Sequence, residues 1–308
     1  MVCELIKYLG QSVQSFRRNL NSRPDLLRGR IVLMNALRNV VKSWQRSPFA
    51  PIVAILASIE QSLKHRSLVK IYVDKDGDWH NCRREATFVA TELHALSYQA
   101  VESSVRDQWC YDCELKNGDV VIDIGAGIGD DAVIFSRLVG PTGCVVAIEA
   151  HPRTYRCLQK TVELNALNNV ITLNVAVHDS NGVIGICDGL SYQSSSIVGG
   201  TPVVQVESKP LDDIMKNIGV KNIGLIKINI EGAETAALRG MRETLGMHPH
   251  IVVSCHDFIA DEGGAPLLKT FDDVKTILIQ AGYHLRPPRQ DARPWYGYYV
   301  YGSKDKRL

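Results

Sequence analysis

Three short stretches of this 308-residue chain concentrate residues whose types and spacing could do chemistry. "IKINIEGAE" (226–234) starts as an apolar strand and ends in Asn229, Glu231 and Glu234. "SCHDF" (254–258) places His256 and Asp257 directly after the apolar run "IVV". "VVIDIGAGIGDDA" (120–132) carries Asp123 near a strand end, then Gly125, Gly127 and Gly129, then two acids that open a helix. A histidine next to a carboxylate is the material of general-base catalysis, because its ordinary pKa lies near working pH. Glycines between a strand and a helix let the backbone turn tightly and approach a ligand closely.

The glycine turn and the strand after it predict a cofactor crevice. "GCVVAIEA" ends in Glu149, 20 residues after Gly129, where a carboxylate can bind two ribose hydroxyls. These features fit NAD or S-adenosylmethionine, and two details favour the second. The spacing is G-x-G-x-G rather than the G-x-G-x-x-G of dinucleotide binders. Asp130 and Asp131 at the helix start would repel a pyrophosphate, whereas a sulfonium carries positive charge and suits an acidic pocket. Asp123, Gly125, Ala126, Gly127, Gly129, Glu149, Ala150 and Asn229 are therefore the expected cofactor-binding residues.

Such residues need elements to position them. From residue 119 apolar strands alternate with helical stretches, which predicts a mostly parallel sheet with helices on both faces. The last two strands lie close together in sequence, so one is expected to run antiparallel at an edge. Before residue 119, "VKIYVDKDGDWHNCRRE" predicts a hairpin turning at "KDGD", and a helix is expected over 85–108. Residues 1–65 read as two or three helices. The expected divisions are a helical extension (1–70), a hairpin and helix (71–114) and the α/β domain (115–308).

"VVIDIGAGIGDDAVIFSRLVGPTGCVVAIEAHP", followed by "LDDI" and "IKINIEGAE", resembles the FkbM-type S-adenosylmethionine-dependent methyltransferases over roughly residues 115–260. The resemblance implies a Rossmann-like class I methyltransferase with a seven-stranded sheet. It also implies O-methylation of a hydroxyl on a sugar or secondary metabolite, with Asp123, Gly125, Gly127 and Glu149 as cofactor contacts. Methyl transfer is an in-line displacement, so the protein mainly aligns the reacting atoms, and a base adds to this by taking the hydroxyl proton. His256 is the expected base, oriented by Asp257 or Glu231, while Glu234 is expected to serve the first turn of a helix. The family block usually begins with an acid where this chain has Asn229, and only Glu231 and Asp257 remain as hard anionic ligands. No metal is expected.

Composition narrows the rest. With 45% apolar and 22% charged residues the chain reads as an ordinary globule. No apolar run reaches the ~18 residues of a membrane span, no secretory h-region opens the chain, and eight scattered cysteines suit a reducing compartment. A cytoplasmic location is expected. His80, Cys82, Cys110 and Cys113 offer zinc ligands but lack a second close pair at finger-like spacing. The net charge of +2 is uneven: residues 1–70 hold 12 Lys/Arg against 3 Asp/Glu, and the remainder 23 against 30. The basic segment could face nucleic acid, a membrane surface or an acidic partner, or simply fold as helices with a solvated basic face. It is Arg-rich and acid-poor like a transit peptide. The expected partner is a small-molecule hydroxyl acceptor, with the N-terminal helices as a surface for a homo-oligomer. An NAD-dependent oxidoreductase and a nucleic-acid methyltransferase are the rival readings. No "NPPY"-like motif and no aromatic-studded basic stripe supports the latter.

Overall fold

The structure, a computed structural model, describes residues 48–186, 204–220, 222–287, 291 and 293–304. Residues from Pro51 onward form one compact unit. The helices expected before residue 48 lie outside the described residues, as do the "SYQSSS" loop (191–196) and Arg289, which the sequence offers as acceptor contacts.

Helix α1 (Ala50–His65) leads into an antiparallel sheet of β1 (Lys70–Val73), β2 (Trp79–Cys82) and β3 (Thr87–Ala90). The hairpin forms as the sequence predicts, but the helix expected over 85–108 forms only from residue 98 onward. The first part of that stretch is β3, and Phe88 and Val89 are fully buried there. Helix α2 (Tyr98–Ser104) follows, opened by Ser97, whose hydroxyl accepts from Ala100 N–H, and it continues as a π-turn at Val105–Trp109.

The central sheet uses β4 (Val120–Ile124), β5 (Cys144–Ile148), β6 (Val170–Leu173), β10 (Ile223–Ile228), β11 (His250–Ser254), β12 (His284–Arg286) and β13 (Tyr299–Ser303). Their order is β12–β13–β11–β10–β4–β5–β6. β13 pairs antiparallel with β11 and with β12, and the pairs from β11 to β6 are parallel. The antiparallel strand is thus not at the edge but one place in from it, because β12 returns outside β13. A smaller sheet joins β7 (Ala176–Val177), β9 (Val204–Lys209) and β8 (Gly182–Ile186) in that order.

Alternation along each strand divides the core in two. Val121, Val145, Leu225, Val252 and Tyr301 face α2, the π-turn and α3 (Asp130–Val139). Ile122, Val146, Ile226, Ile251 and Val253 face α5 (Leu211–Ile218), α6 (Glu234–Arg239), α7 (Arg242–Gly246) and, after the short α8 (Asp257–Asp261), α9 (Phe271–Gln280). Helix α4 (Pro152–Leu164) starts with proline at its first turn, where the missing N–H costs nothing.

The turn of the first hairpin is fastened to α4. Lys160 Nζ lies 2.6, 2.9 and 2.7 Å from carboxylate oxygens of Asp74, Asp76 and Asp78. Arg156 forks onto Asp78 at 2.6 and 2.9 Å. Burial opposes ionisation of Asp74, but the Lys160 ammonium outweighs it and holds that carboxyl well below the usual range. Among the described residues these three aspartates are the only such group close enough to hold a metal ion, and the lysine ammonium already occupies their centre.

Candidate active site

The carboxyl ends of β4, β5, β10 and β11 open onto one cleft of about 530 Å³. In an open α/β sheet these ends carry the ligand, because the chain leaves neighbouring strands in opposite directions there. The turn after β4 is tight. Gly125, Gly127 and Gly129 have φ of +76°, +56° and +84°, which side chains rarely adopt. A Cβ on Gly125 would collide with the carbonyl oxygen of Asn229. A Cβ on Gly129 would stand 2.6 Å from Leu158 Cδ1 on α4. Gly125, Ala126 and Gly127 line the cleft, whereas Gly129, predicted beside them, spends its missing side chain on helix packing.

Glu149 ends β5 and braces the same turn. One oxygen accepts from Gly127 N–H at 3.0 Å and the other from His151 N–H at 2.9 Å. Burial nevertheless pushes the carboxyl up to about 7. Ala150 and Asn229, expected among the cofactor contacts, line the cleft. An apolar flank of Val175, Val177, Ile184 and Ile186 from the β7–β8 region closes the end beside Glu149.

Lys227 is the residue that the sequence reading missed. It sits one residue from the carboxyl end of β10 with 2% of its side chain exposed, opposite Asp123 in the parallel register. Its ammonium is 2.7 Å from Asp123 Oδ1 and 3.7 Å from Asp131 Oδ2, and it donates to Gly125 O at 2.8 Å. It also stands 5.1 Å from the centre of the Trp109 ring. Burial disfavours the ammonium, but Asp123 and Asp131 outweigh it and raise its pKa. Burial and the neighbouring Asp130 push Asp131 up to about 8, and burial raises Asp130 as well. Asp123 therefore does not line the cleft as predicted; it is fully buried against Lys227. A charged pair facing each other across two otherwise apolar strands was the available signal.

The third wall is the His256 corner. Nδ1 of His256 lies 3.0 Å from Glu234 Oε1. An ionised carboxylate only accepts, so in this pairing Nδ1 is the donor, and in the neutral ring that leaves Nε2 as the acceptor. Thr270 Oγ1 donates to Glu234 Oε2 at 3.0 Å, and Gly232 N–H donates to Oε1 at 3.2 Å. Glu234 is fully buried behind the imidazole, while His256 lines the cleft. Glu234 does open α6, as the sequence reading expects, but its carboxylate also faces the imidazole, where the sequence reading expects Asp257 or Glu231. Asp257 is placed elsewhere. Its carboxylate accepts from Thr270 N–H at 3.1 Å and Phe271 N–H at 3.2 Å, fastening the start of α9. Glu231 does line the cleft, and burial pushes it up to about 7, with His256 opposing and Glu234 adding to the rise.

The candidate zinc ligands are not brought together. His80 stacks on Tyr72 at 4.4 Å and bonds Asp74, while Cys110 and Cys113 lie beside Trp109. No described group containing them is close enough to hold a metal. The sequence also offers Arg286, Arg289 and Arg293 as a grip for an acidic group on a substrate, but Arg286 pairs with Asp112 at 2.6 Å and Arg293 with Asp291 at 2.8 Å.

The order of surfaces is chemically coherent. An apolar flank suits a flat ring, Glu149 still has lone pairs for hydroxyl hydrogens, and the acid-rich end suits a cation. A pyrophosphate would meet Asp130 and Asp131, which with Lys227 line the same cleft. Comparison with known proteins gives the family. The family described as Methyltransferase FkbM domain matches residues 123–285, just over half of the chain. Methyltransferase 1 of Beauveria bassiana (strain ARSEF 2860) is 23% identical over 224 residues, covering 65% of this chain and 86% of that protein. The 2-O-methyltransferase NoeI of Sinorhizobium fredii (strain NBRC 101917 / NGR234) is 28% identical over 188 residues, covering 54% and 76%. The crystal structure of Methyltransferase FkbM from Methylobacillus flagellatus KT is 18% identical, covers 62% of this chain and 45% of that one, and gives a TM-score of 0.45. Membership of a methyltransferase family replaces the oxidoreductase reading. The chain belongs to the FkbM methyltransferase family, whose methyl donor is S-adenosylmethionine.

Proposed function

We propose that the protein methylates a hydroxyl group of a small molecule, with His256 as the base and Glu234 as the residue that positions it. The observation that carries this reading is the His256–Glu234 hydrogen bond, set in the wall of the cleft that the glycine turn also lines. When bound, S-adenosylmethionine supplies a methyl carbon activated by a sulfonium. The residues present fit it: the Gly125–Gly127 backbone and Asn229 approach closely, Glu149 takes ribose hydroxyls, and the carboxylates around Lys227 favour the cationic end. Nε2 of His256 takes the hydroxyl proton, while Glu234 holds the ring and balances the charge it gains. Glu231 faces the same space and takes part in seating the acceptor. Ser254, Phe258 and Trp295 complete that end of the cleft. The named activity of the NoeI relative, 2-O-methylation, supports oxygen as the atom methylated. The carboxylates oppose a phosphate backbone, which disfavours nucleic acid as the acceptor.

Labelled S-adenosylmethionine incubated with a panel of hydroxyl acceptors tests the reading. Label appearing on an oxygen supports it, and label found only on nitrogen, carbon or RNA overturns it.

Two further outcomes are expected. Gly125→Ala should abolish cofactor binding by calorimetry, because the new methyl forces the ends of β4 and β10 apart at a positive φ. Wild-type affinity in that variant would remove the turn from the site. The second outcome is a pH dependence. Glu149 and Asp131 are raised to about 7 and about 8 in the folded protein. A carboxyl raised on folding favours the folded state at low pH, and that contribution is lost as pH climbs through the raised value. The Tm of the cofactor-free protein should therefore fall between about pH 5 and 8 from these groups. The Tm gain from S-adenosylmethionine, which favours the ionised forms, should grow over the same range. S-adenosylhomocysteine, without the sulfonium charge, should show less of this growth. A gain independent of pH for both would separate the acid-rich end from the cofactor.

A further inference from the structure

Helix α1 has two unlike faces. The inner one is tied to the first hairpin: Ser58 Oγ accepts from Ile71 N–H at 2.8 Å, and Ser62 Oγ from Val69 N–H at 2.9 Å. Gln61 is buried and accepts from Arg83 at 3.1 Å. The outer face presents Ile52, Ile55, Ile59 and Leu63, which are 54%, 60%, 53% and 74% exposed. Their spacing of three, four and four places them on one stripe. Beyond the stripe every residue of Leu63–Leu68, "LKHRSL", is exposed, and Leu68 is 86% exposed. None of these residues belongs to the cofactor cleft.

Single exposed apolar residues need no explanation, but a continuous stripe marks a contact surface. Charge decides its partner. Lys64, Arg66 and Lys70 stand at the stripe's C-terminal end, and Glu60 is the only acid in the helix. Residues 1–70 carry 12 basic against 3 acidic residues, while the rest of the chain is acidic. A second copy docked on this face would add a second cluster of Lys64, Arg66 and Lys70 to the same interface. An acidic lipid surface complements both properties: apolar side chains enter the acyl boundary, and Lys and Arg reach out to the phosphates. The 16-residue α1 would lie on such a surface, since no described helix is long and apolar enough to cross a membrane. We propose that the outer face of α1 and the Leu63–Leu68 turn dock the protein on an anionic lipid surface.

The test is co-sedimentation of the full chain with vesicles of mixed phosphatidylcholine and phosphatidylserine, against vesicles of phosphatidylcholine alone. The wild type should partition onto the mixed vesicles and lose this preference at high salt. Ile55→Glu/Ile59→Glu should cut partitioning by roughly tenfold or more. It should keep the Tm gain from S-adenosylmethionine, which shows that the enzyme is folded. Lys64→Glu/Arg66→Glu should weaken binding to the mixed vesicles only. Equal sedimentation with both vesicle types, or none with either, overturns the proposal. So does wild-type partitioning by the isoleucine variant, which would assign the binding to basic residues alone. A wild type that ignores vesicles but is dimeric, and monomeric in the isoleucine variant, would give the face to a second copy instead.

Discussion

His256→Ala is expected to lower kcat by about 10²–10⁴-fold while leaving the Kd for S-adenosylmethionine within a few-fold of wild type. The base acts on the acceptor, and the cofactor's expected contacts are the glycine turn and Glu149. Loss of turnover without loss of cofactor affinity is thus the signature of this site. Glu234→Gln keeps a similar shape but removes the charge facing Nδ1, so kcat should drop about tenfold. Combining the two changes sharpens the test. If Glu234 works through the imidazole, the double variant should be no slower than His256→Ala alone. Costs that multiply would mean independent roles, and wild-type turnover in His256→Ala would rule out the base.

Lys227→Met should cause the largest loss of stability, about 3–5 kcal/mol by urea midpoint. The change leaves Asp123 fully buried without its ion pair, 2.7 Å away in the native protein, and removes the donor to Gly125 O. It also removes the charge that opposes the rise in Asp131, which already reaches about 8. A carboxyl raised further penalises folding more at high pH, so the deficit should be larger at pH 8 than at pH 5. Lys227→Met/Asp123→Asn should recover part of the loss, because the uncompensated charge goes with the lysine. A deficit that is the same at both pH values, with no recovery in the double variant, would show that the lysine contributes packing alone.

The features legible in the sequence are those whose meaning is local. The glycine turn, Glu149 at the next strand end and the strand–helix alternation all lie within short stretches, so spacing alone identifies them. The family blocks are equally local, and the family match confirms them. The misses share a different origin. Glu234 and His256 are 22 residues apart and meet only because β10 and β11 lie side by side in parallel register. Asp257 looked like the natural partner of its neighbour, yet successive residues after a strand point in different directions, and its carboxylate turns to the start of α9. The place of β13 inside β12 depends on hydrogen bonding between strands, and order in sequence does not reveal that.

By itself, then, the sequence determined the class of fold, the crevice where β4 ends and the cofactor that suits acids rather than phosphates, and it offered a histidine at a neighbouring strand end as a candidate. Only the tertiary structure decided which acid holds that histidine and that Asp123 belongs to Lys227. It alone showed that the outer face of α1 is left apolar and exposed. The physical reason is one of range. Backbone turns and strand periodicity are set by neighbours in the chain, whereas a buried charge or a catalytic hydrogen bond takes its partner from whichever strand end folding places beside it.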